Sequence, residues 1–315
     1  MFMNEEYRAF CEEVKTNMKN YLPEEYQDIN ISLYEATKNN GVKRIGLTFS
    51  REHEELSPKV YLEEFFVMAK ECVSIGKICE EIVKVYGEAI SKSLRYEVLK
   101  QGKYEDIKDH IFMTLVNYKR NEEMLRNVPH KVVDDLAVYY RICLPEAESY
   151  VATAAINKEM LEQWDISIEE LHQVAYTNTP KILKPCLFAM ADAISGMKVN
   201  LLETEISESE EKMYVLTSHN NKYGSYCVMY PEIIQDIRRI TGWDFYILPS
   251  SIHETILIPK NEFVNLVYMG KMIREINNSQ VDPEEQLSDH AYEVLFEGDE
   301  MKLVSVKESM KDWNE

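Results

Sequence analysis

A chain of 315 residues with 55 acidic and 35 basic side chains carries a net charge of −20. That balance argues against nucleic acid as a partner, because phosphate backbones are bound by Lys and Arg that neutralise them. Hydrophobic residues make up 45% of a sequence with only ten glycines and ten prolines, a globular composition without low-complexity segments. At this length roughly 75% of the unfolded surface can be buried, in one large domain or two smaller ones.

The most apolar stretch, "PCLFAMA" (Pro185–Ala191), is far shorter than the roughly 20 residues of a membrane span. The N-terminus, "MFMNEEYRAFCEEVK", is acidic where a signal peptide is basic and then apolar. A cytoplasmic protein without a membrane association is expected. The six cysteines are scattered with no C-x-x-C, which reads as free thiols, mostly buried, in a reducing compartment.

In chain order, Phe10, Val14, Met18 and Tyr21 repeat at a helical period that Pro23 ends. The runs "INISLYEATK" and "VKRIGLTFS" flank Asn40-Gly41, whose preference for positive φ predicts a tight hairpin. Ser57-Pro58 reads as the cap and first residue of a helix over 59–72, and Ile75, Ile78, Cys79, Ile82, Val83, Tyr86 and Ala89 form the core stripe of another over 75–93. "DHIFMTLVNYKRNEEMLRNVPH" fits either a helix or a strand followed by a helix.

After Pro129, "DLAVYYRICL" and "SYVATAAIN" predict a second strand pair. Asn157 is placed to cap a short helix through Trp164, and "SIEE" (Ser167–Glu170) is a capping box for a helix with Leu171, Val174 and Ala175 inside. "KMYVLTS" and "GSYCVMY" suggest a third pair, and Pro231 and Gly242 bracket a helix. "DFYILP" and "TILIP" suggest a fourth pair before a helix over 261–276. The last pair turns at Gly298-Asp299. Hairpins alternating with helices predict an α+β fold: repeated β-hairpin-plus-helix units forming antiparallel sheets, with helices packed on one face. The division expected is 1–128 and 129–315, or a single continuous domain.

"LVNYKRNEEMLRNVPH", "LEQWDISIEELHQVAYTNTP", "MYVLTSHNNKYGSYCVMYP", "DFYILPSSIHETILIP" and "LSDHAYEV" together resemble an uncharacterised family of anaerobic Gram-positive bacteria, a domain of unknown function often found on mobile elements. The resemblance runs from the first hairpin to Val294, and the block Met160–Asn178 also resembles a segment of another uncharacterised Gram-positive family. It implies a bacterial, intracellular chain that is a complete family member and no fusion. It implies no catalytic residue.

The chemistry-bearing stretch is "LPSSIHE", with Ser250, Ser251, His253 and Glu254 between two apolar runs. A hydrolase reading makes either serine the nucleophile, His253 the base and Glu254 its orienter, with Asp289 also in the pool of actors. Three members packed into one turn rarely reach triad geometry, and no G-x-S-x-G elbow exists. The structural reading makes Pro249 the strand end and Ser251 the cap of one helical turn, with Glu254 reaching back. Phe245, Ile247, Ile256 and Ile258 are then expected on one buried face of the strand pair.

"HETIL" and "HEELS" lack the second histidine of H-E-x-x-H, although a composite site from His219, His253 and His290 is conceivable. No glycine-rich phosphate loop occurs, so neither metal nor cofactor is expected. The twenty tyrosines, grouped in "VYYRI" and "YGSYCVMY", mildly favour a binding surface. The leading expectation is a non-enzymatic module that binds another protein. The alternatives are a hydrolase built around His253 and a DNA mimic.

Overall fold

A computed structural model describes residues 5–51, 59–100, 103–143, 153–197, 199–204, 213–261, 264–298 and 300–306, and within these no side chain of 89 or of 91–100. Ser57-Pro58, "HEELS" and residues 149–152 therefore lie outside the described residues. The architecture is α+β, and the chain divides into two compact units, Met1–Lys103 and Tyr104–Glu315. The sequence suggested a division at 128/129. Strand pairing across that point, described below, joins its two sides.

In the first unit, helix α1 (Glu5–Met18) buries Tyr7, Phe10, Cys11, Val14 and Met18, the stripe its period dictates. Strands β1 (Asn30–Thr37) and β2 (Lys43–Ser50) pair antiparallel around Asn40 and Gly41, both at positive φ (58° and 71°). The expected helix over 59–72 begins late. Lys59–Tyr61 is instead strand β3 on the free edge of β2, and helix α2 spans Glu63–Lys70. Val60 is buried between two less buried residues, the alternation of a strand. Helix α3 (Ile75–Lys100) completes the layer, with Ile78, Cys79, Ile82 and Tyr86 buried.

The second unit opens with a short helix α4 (Tyr104–Ile107), strand β4 (Ile111–Asn117) and a turn of helix α5 (Glu122–Leu125), so "DHIFMTLVNYKRNEEMLRNVPH" resolves as strand, then helix. Strand β6 (Leu136–Cys143) pairs with β4 on one side, across 128/129. Its other side pairs with β5 (His130–Val133) and then β7 (Thr153–Ala155). Helix α6 (Lys158–Trp164) is capped by Asn157, and α7 (Ile168–Ile182) by Ser167, whose hydroxyl accepts from the Glu170 amide.

The large sheet contains β8 (Pro185–Ala189), β9 (Tyr214–Ser218), β10 (Phe245–Pro249), β11 (Glu254–Pro259), β12 (Tyr292–Glu297) and β13 (Glu300–Ser305). All pairings are antiparallel, in the order β13-β12-β10-β11-β9-β8. Helices α8 (Met190–Ser195), α9 (Pro231–Thr241) and α10 (Leu266–Gln280) belong to this unit. Gly242 closes α9 at φ 75°, as expected of a C′ glycine. Helix α10 starts later than residue 261, where Asn265 caps it by accepting from the Tyr268 amide.

Two expectations for this sheet fail. "GSYCVMY" is not a strand: Gly224–Met229 forms a 3-10 turn packed on β9, whose two edges are already taken by β8 and β11. The strand beside β9 is "PCLFA", read in sequence only as an apolar stretch. Nor do Phe245, Ile247, Ile256 and Ile258 share a face. The register pairs Ile247 with Leu257 and Leu248 with Ile256, so directly opposed residues share a face and Ile247 and Ile256 point oppositely. Both faces are covered: Ile247 and Leu257 are fully buried on one, while Leu248, Tyr246, Ile256 and Ile258 pack against Met269 and Ile273 of α10 on the other.

Candidate functional site: the histidine at the β10–β11 turn

The β10–β11 connection places the candidate residues. The Ser251 amide donates to the Glu254 carbonyl (3.1 Å), and the Ser251 hydroxyl accepts from the His253 amide (3.0 Å). This is a serine turn, with no helical turn in it, so Ser251 stabilises a loop where a helix cap was expected. Glu254 is the first residue of β11, and its carboxylate accepts from the Ser250 hydroxyl (3.3 Å).

His253 is held from three sides. Its Nδ1 accepts from the Tyr223 amide (3.1 Å), and its Nε2 lies 3.0 Å from Glu285 Oε1. An amide can only donate, so the ring carries its proton on Nε2 and gives it to Glu285. The His253 carbonyl accepts from Thr217 of β9 (2.9 Å). The flanking backbone is bonded as well, since the Ser225 hydroxyl donates to the Ile252 carbonyl (2.7 Å) and the Ile252 amide to the Glu285 carbonyl (2.7 Å). One turn thus pins the 3-10 segment, the end of β9 and the loop ahead of β12. Tyr223 sits at φ 57°, a left-handed conformation that costs a bulky residue about 1 kcal/mol or more. The bond from its amide to the imidazole holds it there.

The polar network continues beyond the histidine. The Tyr223 ring meets the imidazole edge-on at 5.5 Å, and its hydroxyl lies 3.1 Å from Thr153 Oγ1. Arg141 donates to Thr153 Oγ1 (2.8 Å) and to the Tyr139 hydroxyl (2.7 Å), with its guanidinium 5.1 Å from the Tyr223 ring. Glu285, Tyr223, Thr153 and Arg141 escaped the sequence reading. Their partners lie up to 70 residues apart, beyond the reach of any local pattern.

Asp289 belongs to another cluster, paired with Arg120 and accepting from Asn277 Nδ2 (2.9 Å). His290 stands 3.1 Å from Asp135, which also accepts from the Tyr292 hydroxyl (2.7 Å). His219 has its amide on the Lys184 carbonyl. His219, His253 and His290 thus have separate partners, and among the described residues no group of three His, Cys, Asp or Glu is placed to hold a metal ion. The tyrosines of "VYYRI" and most of those in "YGSYCVMY" are core: Tyr139, Tyr140, Tyr226 and Tyr230 are buried, and their grouping marks no surface.

The His253 side chain is only 15% exposed. Burial lowers its pKa below the ordinary histidine value, and Glu285 offsets this only in part. Protonating Nδ1 would also set one N–H against another. A histidine whose folded pKa is depressed contributes stability that is full above the unfolded value of about 6.5 and is lost as pH falls from there through the lower folded value. Replacing His253 with alanine is therefore expected to cost about 2 kcal/mol at neutral pH and progressively less towards pH 5, read as paired thermal melts. A constant difference across that range would contradict the assignment.

Residues 7–294 match a family described as "Family of unknown function (DUF5688)". The chain belongs to DUF5688. The match begins at Tyr7 in α1 and ends at Val294 in β12, so it spans both units and the whole network around His253. No curated protein and no solved structure matches this DUF5688 chain. Among its described residues, no helix is long and apolar enough to cross a membrane.

Proposed function

We propose that this DUF5688 protein is a cytoplasmic, non-enzymatic module that binds another protein, in the biology of a bacterial mobile element. The observation that carries the binding surface is an exposed apolar run beside the edge strand β8. Ile194 is 79% exposed, Met197 61% and Val199 48%. Met213, also exposed, adjoins α8, because its carbonyl accepts from the Met190 amide (2.9 Å). Scattered single apolar residues are ordinary on a surface, but neighbouring ones beside a sheet edge are typical of contact sites.

The β8 edge itself is partly blocked: Asn200 accepts from the Leu187 amide (3.0 Å) and donates to the Pro185 carbonyl (3.4 Å), as a neighbouring strand would. The partner accordingly takes the apolar side chains rather than adding a strand. The chain carries a net charge of −20, so a partner with a basic rim around an apolar socket is the complementary one.

Against the hydrolase alternative stands the occupancy of the His253 ring. Both nitrogens are engaged, and the two serine hydroxyls are bonded to Glu254 and to the backbone rather than to the imidazole. Affinity capture from the native host is expected to recover a stoichiometric partner. The double change Ile194→Asp and Met197→Asp should weaken that interaction by about 2 kcal/mol or more, roughly thirtyfold. Recovery that is absent, or unchanged by the double variant, would contradict the reading.

A further inference from the structure

A second histidine presents the chemistry that His253 lacks. A surface pocket of about 320 Å³ is lined by Tyr118, Glu122, Leu125, Arg126, His130 and Lys158, near the lower end of the range for small-molecule sites. His130 Nδ1 lies 2.9 Å from the Val128 carbonyl, which can only accept. The proton of the neutral ring is therefore on Nδ1, and Nε2, with no partner among the described residues, keeps an open acceptor lone pair.

The Tyr118 and His130 rings lie 6.0 Å apart, tilted by 39°, and Leu125 is a buried apolar wall. The Lys158 ammonium donates to the Arg126 carbonyl (2.7 Å) and so stays at the pocket, while the Arg126 guanidinium has no partner among the described residues. Two cations thus face one carboxylate, in a chain whose acids outnumber its bases 55 to 35.

We propose that this pocket binds a small aromatic anion: a planar ring with a carboxylate or phosphate at one end and a hydroxyl donor at the other. Arg126 and Lys158 take the oxyanion, since guanidinium offers paired N–H donors to such groups. Tyr118 takes the ring, and His130 Nε2 accepts from the hydroxyl. The site is independent of the apolar surface near Ile194.

The test is isothermal titration of the full chain with 4-hydroxybenzoate and with 4-hydroxyphenyl phosphate, with phenol as the uncharged control. Saturable binding of either anion and none of phenol is expected, and the better probe identifies the headgroup as carboxylate or phosphate. Arg126→Gln should weaken binding by about tenfold, through loss of the paired donors. His130→Phe, which keeps a ring and removes the acceptor, should weaken it by a similar factor of about ten. Thermal melts of both variants establish that they are folded, and Lys158→Gln at the exposed helix start provides an independent variant. Binding of neither anion at roughly 10 mM, or binding unaltered in folded variants, would overturn the proposal.

Discussion

Replacement of Gly224 by alanine is expected to give one of the largest losses of stability available to a single methyl group in this protein. A Cβ at that position would lie 2.3 Å from the Ser218 amide nitrogen, 2.6 Å from the Thr217 carbonyl carbon and 2.7 Å from the His253 carbonyl oxygen. All three are backbone atoms, so no side-chain rotation relieves the contact. The 3-10 segment would have to lift from β9 and from the β10–β11 turn, taking with it the bonds from Tyr223 to His253 and from Ser225 to Ile252. A cost of about 3 kcal/mol or more follows from overpacking combined with loss of that network. For a unit of this size the melting temperature should fall by roughly 6–12 °C. A melt within a degree of the wild type would mean that the segment can move away freely and that the brace is loose.

The second large effect belongs to the first unit. Glu63 is a carboxylate only 4% exposed, at the first residue of α2. Its Oε1 accepts from the Tyr7 hydroxyl (2.9 Å) and from the Ile45 amide (3.0 Å), and Arg44 stands 4.0 Å from its other oxygen. The Leu62 amide donates to the Ile45 carbonyl (3.0 Å), so the backbone and then the side chain of the chain leaving β3 continue the pairing of β2. A helix start also favours a negative charge. Burial, the nearby Cys11 and the same carboxylate push the Tyr7 hydroxyl far above its usual range, so it acts only as a neutral donor.

Glu63→Ala strands the Ile45 amide and opens a hole beneath α1. A loss of roughly 3–5 kcal/mol is expected, the range for removing one partner of a buried charged network. Glu63→Gln keeps the accepting oxygen and should lose about 1 kcal/mol. Urea unfolding followed by circular dichroism measures both, and hydrogen exchange at β2 locates the effect. Equal losses in the two variants would show that charge, rather than the hydrogen bonds, holds this corner.

How much of this could be read from sequence follows from the range of each interaction. Caps and turns are local, so Asn40-Gly41, Asn157, Ser167 and Gly242 declare themselves through residue type and spacing. Pairing is not local. "GSYCVMY" has the composition of a strand, but whether it becomes one depends on an open edge of β9, and β8 occupies that edge. The opposite faces of Ile247 and Ile256 depend on register across the turn, which alternation within each run does not specify.

The candidate site divides in the same way. That the serines and Glu254 belong to a turn between strands was legible in "LPSSIHE". That the histidine reaches Glu285 and the Tyr223 amide was not, because these partners lie 32 and 30 residues away. His130 attracted no notice, since a lone histidine at the start of a short strand has no pattern around it.

Nitrogen-15 NMR of the histidine side chains tests most directly that His253 braces the fold and is not poised as a base. The expected spectrum at neutral pH shows His253 in one neutral tautomer, protonated at Nε2 and bare at Nδ1, unchanged when Ser250 and Ser251 are both replaced by alanine. A ring protonated at Nδ1, a mixture of tautomers, or a tautomer that shifts when the serines are removed would contradict it.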